Sequence, residues 1–255
     1  MYRRLDKSYK VICNKKISTN YFKLSVKIDE SIYKDCLPGR FFMINIPGVF
    51  LRRPMSIYHV KNNVLSFLYK VVGKGTKLLS NIKEKTLLNL LGPLGNGYNL
   101  KIYKKFNHVL IAGGTGIASI SFLITKLKKG ILYYGARSKK DLLFLDKFKK
   151  NWEVIISTDD GSKGYKGHIT DLLSKRIKTE DVLYACGPNL MLENILYIAR
   201  EKKIKGFISL EERMACGFGN CQGCAIMVNN EIKMVCKDGP IFDIKELYLN
   251  YNNSI

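Results

Sequence analysis

Four cysteines fall within 21 residues near the C-terminus, in the segment ERMACGFGNCQGCAIMV and the following VCKDGPIF. Cys216, Cys221, Cys224 and Cys236 make a C-x4-C-x2-C-x11-C pattern. The x4/x2 spacing is that of the plant-type [2Fe–2S] loop, in which four thiolates hold two irons. Gly217, Gly219 and Gly223 stand between the first three ligands. Glycine permits positive φ, so a tight loop can turn amide N–H groups toward cluster sulfurs, and such bonds help set a reduction potential. A structural zinc site usually draws on two short ligand pairs, and only Cys221/Cys224 makes one here. The other cysteines, Cys13, Cys36 and Cys186, are scattered. An odd total of seven, with no export signal, argues against a disulfide scaffold.

Two further groups of residues suit large anionic cofactors. Arg52, Arg53, Pro54, Met55 and Ser56 follow an apolar run and a Pro47-Gly48 turn. An arginine fork matches a phosphate, and a hydroxyl three residues on can bond a ring heteroatom. Some 18 residues later, in LYKVVGKGTKLLSNI, Gly73, Gly75 and Thr76 precede a helical pattern, a sensible seat for a pyrophosphate. Together they point to a flavin. VLIAGGTGIASI is a strand, a glycine loop (Gly113, Gly114, Thr115, Gly116) and a helix, the arrangement that offers backbone N–H groups to a dinucleotide. It departs from G-x-G-x-x-G at Ser119, and the next strand ends in Gly135, Ala136 and Arg137 without an acid, so an ordinary Rossmann dehydrogenase fits poorly. Arg137, Lys139 and Lys140 leave room for a 2′-phosphate. The Cys186-Gly187-Pro188 turn falls at the same carboxyl edge, where open α/β sheets bind ligands.

The elements that must position these residues change rhythm along the 255 residues. Residues 1–100 read as short strands (21–28, 40–46, 55–60, 64–72) between Pro and Gly turns, an antiparallel barrel. Residues 101–205 alternate strands (108–112, 131–136, 152–158, 182–187) with helical stretches (117–129, 141–150, 168–177, 189–203), implying a parallel sheet with helices on its faces. Residues 206–255 form a third unit around the cysteines. The fold class expected is therefore β-barrel plus α/β with a small cluster domain.

Net charge is +22, but the lysines are spread through every segment and no aromatic-interleaved basic motif stands out, so nucleic acid is not an expected partner. No apolar run approaches the roughly 20 residues of a membrane span, and the N-terminus lacks a signal h-region; a cytoplasmic protein is expected. Nucleophile-elbow, zinc-protease and P-loop motifs are absent, and His59, His108 and His168 have no partner pattern. Hydrolase and phosphotransferase readings lose their footing.

In order, RPMS, YKVVGKGT, GPLGNGY, AGGTGIA, STDDGSKGYKGHIT, CGP and the cysteine segment resemble the ferredoxin–NADP reductase-like superfamily. More narrowly they resemble the electron-transfer subunits of NAD-dependent dihydroorotate dehydrogenases, over nearly the whole chain. The resemblance implies an FAD barrel, an NAD-binding α/β domain and a [2Fe–2S] domain. It implies FAD contacts from Arg53, Pro54, Met55 and Ser56, completed by Leu68, Tyr69, Lys70, Gly75 and Thr76. It also implies an FMN-containing catalytic partner in a two-plus-two heterotetramer. Electrons from dihydroorotate would leave the partner's FMN, cross the cluster and FAD, and reduce NAD⁺. Many such relatives carry proline at the place of Ser119. A related subunit of an NADPH–ferredoxin oxidoreductase or a sulfhydrogenase shares the same order of sites. In the ferredoxin-linked kind an aspartate replaces one cluster cysteine, whereas all four are cysteine here. A zinc-stabilised basic binding module without redox chemistry is the alternative of another class.

Overall fold

A computed structural model describes residues 5–103 and 105–247. Sixteen strands and seven α-helices follow in chain order among those residues. The first sheet comprises β1 (Leu5–Ser18), β2 (Tyr21–Lys27), β3 (Phe41–Ile44), β4 (Arg53–Ser56), β5 (His59–Lys61), β6 (Val64–Lys70) and β7 (Leu87–Leu94). Helix α1 (Glu30–Tyr33) joins β2 to β3, and α2 (Lys74–Ser80) joins β6 to β7. All pairings are antiparallel, in the order β4-β3-β7-β1-β2-β6-β5.

The two edge strands of this sheet are consecutive in sequence. Ile57 N–H donates to the Arg40 carbonyl beside β3, and Tyr58 N–H donates to the Ser66 carbonyl in β6, both at 3.0 Å. The chain thus steps from one edge to the other within two residues, and the sheet must curl back on itself into a half-barrel. Register shifts in β1, between Val11 and Cys13 and between Lys16 and Ser18, supply local bending. Val11, Leu24, Phe42, Ile44, Leu65, Phe67 and Leu90 fill the inside.

The second sheet takes β8 (Asn107–Gly113), β9 (Gly130–Ala136), β10 (Trp152–Thr158), β11 (Tyr165–Lys166), β12 (Asp181–Cys186) and β13 (Lys205–Ser209), all parallel. Its order is β11-β10-β9-β8-β12-β13, closed at one edge by antiparallel β16 (Ile241–Asp243). Helices α3 (Ile117–Leu127), α4 (Leu145–Phe148), α5 (Ile169–Arg176), α6 (Asn189–Glu201) and α7 (Ile244–Leu247) complete this part. Along β8, Val109 and Ile111 enter one core with α5 and α6, while Leu110 and Ala112 enter another with α3. Both faces are covered, as a parallel sheet requires.

Between β13 and β16 the chain carries the cysteines and a small hairpin, β14 (Ala225–Val228) with β15 (Glu231–Met234). Cys224, Val228, Val235 and Cys236 share a core with Phe41, Met43 and Leu94 of the half-barrel. Asn96 seals the junction, its N–H donating to Gly239 O at 2.6 Å and its amide to Asp238 O at 2.8 Å. No helix among the described residues is long and apolar enough to cross a membrane.

Candidate functional site

The cysteine loop winds through left-handed backbone at Gly217 (φ +82°) and Gly219 (φ +89°), conformations that glycine adopts without steric cost. A Cβ at Gly217 would also stand 2.5 Å from Met43 Cγ. The loop can therefore lie flat on the half-barrel, and its amides turn inward. Cys221 N–H donates to Cys216 Sγ at 3.5 Å, and Cys236 N–H donates to Cys224 Sγ at 3.4 Å. The thiols stand in two pairs. No group of three or more His, Cys, Asp or Glu side chains among the described residues is arranged around one metal position. Four thiols at the x4/x2 spacing, with backbone N–H groups turned to their sulfurs, are the donor set of a two-iron cluster. Burial pushes the Cys216 thiol up, but amide hydrogen bonds from Phe218, Cys221 and Asn220 more than offset it and bring the pKa down to about 6. Amides that favour a thiolate are also the donors an anionic cluster needs. Burial pushes Cys236 up to about 12, helped by Cys224 beside it. A bound metal ion deprotonates such a thiol outright.

A cleft of about 280 Å³ lies between the half-barrel and the parallel sheet. Pro54, Met55 and Ser56 of β4 line it with Leu68, Tyr69 and Lys70 of β6, then Thr76, Thr115 and Ser119. The arginine motif and the LYK segment, separate in sequence, thus form one wall. Arg53 extends that wall: its guanidinium rests against Gly75, where a Cβ would be 3.0 Å from Nε. Arg53 Nη1 is anchored on Leu51 O at 2.6 Å. Thr76 has another task. Its hydroxyl accepts from Val72 and Gly73 N–H and donates to Gly73 O, so it builds the turn. This donor set fits a flavin, with a mixed slot for a planar ring and a cation beside an exposed turn for its phosphates.

A larger cleft, about 910 Å³, opens at the carboxyl edge of the parallel sheet. Gly113, Gly114 and Thr115 line it together with Gly187 and Pro188. A Cβ at Gly113 would meet Pro188 Cδ and Met191 Sδ at 2.7 Å, so the two turns are in contact. Gly116 lies beneath, where a Cβ would overlap the Cys186 carbonyl oxygen. That close approach of helix to strand is the task the third glycine of a Rossmann fingerprint performs, which explains why Ser119 is tolerated. Arg137 and Asp159 also line it. A volume of this size with glycine-lined amides suits a nucleotide.

Four residues line both clefts: Lys70, Val72, Thr115 and Glu211. Glu211 carried no signal in the sequence; it comes forward only because β13 runs beside β12. Its Oε1 stands 4.0 Å from Cys186 Sγ, and burial pushes its carboxyl up. Burial, then the nearby Glu211, pushes the Cys186 thiol far up, so it stays protonated. Ser119 Oγ is buried without a hydrogen-bond partner in the same cleft. Asp141, which binds Lys70, was likewise invisible in sequence.

A curled antiparallel sheet joined at two clefts to a parallel sheet defines the ferredoxin–NADP reductase class of oxidoreductases. A solved structure of that kind, from work on flavin-based electron bifurcation by an NADH-dependent reduced ferredoxin–NADP oxidoreductase, superposes with a TM-score of 0.83 at 30% identity, covering 94% of this chain and 89% of that one. A ferredoxin–NADP⁺ reductase from Neisseria gonorrhoeae shares the fold at a TM-score of 0.65 and 14% identity, over 79% of this chain and 92% of that one. Residues 211–248 match the iron-sulfur cluster binding domain of dihydroorotate dehydrogenase B, and residues 110–196 match the oxidoreductase NAD-binding domain. The dihydroorotate dehydrogenase B (NAD(+)) electron transfer subunit of Caldanaerobacter subterraneus subsp. tengcongensis is 36% identical over 93% of this chain and 96% of the relative. That of Clostridium acetobutylicum is 36% identical over 94% and 96%. The chain belongs to the family of electron transfer subunits of NAD-dependent dihydroorotate dehydrogenase B.

Proposed function

We propose that this chain carries electrons taken from dihydroorotate by an FMN-containing catalytic subunit, through a [2Fe–2S] cluster and FAD, to NAD⁺. The partner would be held in a two-plus-two heterotetramer in the cytoplasm, a compartment in keeping with seven free thiols. On this reading residues 1–100, 101–205 and 206–255 serve the flavin, the nucleotide and the cluster in turn.

The observation that carries the proposal is spatial. The cysteine loop packs on β3 and β7 of the half-barrel, and the two clefts meet at Lys70, Val72, Thr115 and Glu211. These contacts support three neighbouring seats, the flavin cleft touching both others. Cys216, Cys221, Cys224 and Cys236 would hold the cluster. Arg53, Pro54, Met55, Ser56, Leu68, Tyr69, Lys70, Gly75 and Thr76 would bound the FAD seat. Gly113, Gly114, Thr115, Gly116, Cys186, Gly187 and Pro188 would bound that of NAD.

A bound flavin supplies the exchange between single electrons and a hydride, which no side chain here can perform. The protein's share is placement. Pro54 to Ser56 and Leu68 to Lys70 form the wall of the slot, Arg53 would face the flavin's phosphates, and the glycine turns would let a dinucleotide approach the backbone. The Cys186 thiol, held protonated by burial, stands 4.0 Å from Glu211, where the two clefts meet.

The test uses the complex purified anaerobically through a tag on this chain. Dihydroorotate should drive reduction of NAD⁺ and much less of NADP⁺, with an FMN subunit co-purifying. A coloured complex without that activity would keep the cofactors and assign the chain to another redox system, such as the ferredoxin-linked one.

A further inference from the structure

Among the described residues, one ion pair crosses the seam between the two sheets. Lys70 Nζ, at the end of β6, lies 2.7 Å from Asp141 Oδ1, on the turn after β9. Both side chains are three-quarters or more buried (25% and 20% exposed). The half-barrel contributes a second donor, Tyr21 OH, 3.3 Å from the same oxygen, and the Lys70 ammonium sits 5.1 Å above the Tyr21 ring. From the other side Ser138 Oγ donates to Asp141 Oδ2 at 3.4 Å, and Tyr134 OH donates to the Asp141 carbonyl at 3.2 Å. Ser18 Oγ, from β1, reaches Lys140 O at 3.2 Å along the same seam.

A surface ion pair stabilises little, but a largely buried one with extra hydrogen bonds holds its geometry, because either partner left alone is costly. Lys70 also belongs to both clefts. A shift at this contact would therefore move the nucleotide seat relative to the flavin seat. We propose that Asp141 is a positioning residue: it clasps Lys70 across the seam and keeps the two clefts in the alignment that hydride transfer needs. Asp141, which lines the larger cleft beside Tyr21 and Lys70, works in this role by holding Lys70 rather than by bonding a cofactor. It acts through Lys70 and Tyr21. The proposal rests on the two-cleft reading above.

The test compares wild type, Asp141→Asn and Asp141→Glu as full chains with their bound cofactors. Amide hydrogen exchange should rise about tenfold in Asp141→Asn on both sides of the seam, at residues 69–72 and 138–143, and return toward wild type in Asp141→Glu. NADH-driven reduction of an artificial dye should lose about tenfold in kcat with KM changed less than about twofold, again with recovery in Asp141→Glu. Faster exchange confined to 138–143 would overturn the proposal, since Asp141 would then only hold its own turn. Unchanged kcat in Asp141→Asn would overturn it too. If wild type itself fails to oxidise NADH, the nucleotide reading fails, while the exchange pattern still decides the clasp.

Discussion

Gly116 and Cys186 are in backbone contact: the first turn after β8 lies so close to the end of β12 that a Cβ on Gly116 would overlap the Cys186 carbonyl oxygen. Cys186 is held in place by its pairing with Ala112 in the β8–β12 ladder. Gly116→Ala should destabilise the protein by about 3 kcal/mol, the upper range for overpacking. Ser119→Ala, three residues on, should cost less than about 1 kcal/mol, since its buried hydroxyl has no partner to lose. Thermal unfolding of the two variants measures both. Equal effects would contradict this division of labour.

The cysteine loop depends on its glycines as well as its thiols. Gly217→Ala places a side chain at φ +82° and against Met43, at a cost of about 1–3 kcal/mol. We expect reduced iron and sulfide per chain, whereas Cys224→Ser should abolish the cluster. Full occupancy in Gly217→Ala would show that the half-barrel yields to the loop.

His59 should make stability fall in mild acid. Its Nδ1 is buried without a partner, and its ring packs edge-on against Phe122 at 5.7 Å. Burial pushes its pKa down, and Lys147, Lys23, Lys61 and Lys126 push it further. A base depressed in the folded state is protonated first in the unfolded chain. Its contribution is therefore complete above the unfolded value of about 6.5 and is lost as pH falls toward the folded value. His108, depressed by burial, adds in the same direction. Between about pH 7 and 5 the melting temperature should drop, and His59→Gln should shallow that slope. An unchanged slope would assign the acid sensitivity to other groups.

Asp159 and Arg137 both line the larger cleft. A carboxylate there bonds a ribose hydroxyl and repels a 2′-phosphate, while the guanidinium does the reverse. Asp159→Ser should shift the ratio of kcat/KM for NADPH over NADH upward by about tenfold or more. Steady-state rates with both nucleotides decide it. A constant ratio would place the ribose elsewhere.

Much of the parallel half was legible, because its strands are apolar runs between turns. The run 152–158 coincides with Trp152–Thr158, and 189–203 with helix Asn189–Glu201. The helical stretch 141–150 shrank to Leu145–Phe148, since Phe144 takes positive φ (+59°) and interrupts it. The longest strand, Leu5–Ser18, gave little signal: Tyr9 and Val11 alone in it are buried, and lysines occupy its open face. The run 55–60 read as one strand but divides at Ile57 and Tyr58, where the chain changes partners. The joining of Ile241–Asp243 to Lys205–Ser209 depends on the whole cysteine segment folding back, which no local pattern records. Glu211 and Asp141 escaped notice for the same reason, because their partners lie 25 and 71 residues away.

The most direct measurement is an anaerobic NADH titration of the purified chain alone, followed by visible absorption and electron paramagnetic resonance. We expect bleaching of a flavin band, the rhombic signal of a reduced [2Fe–2S] centre, and two irons per chain. A protein that binds flavin and NADH yet leaves its cluster oxidised, or that contains a single zinc, would contradict a continuous path from cluster to nicotinamide.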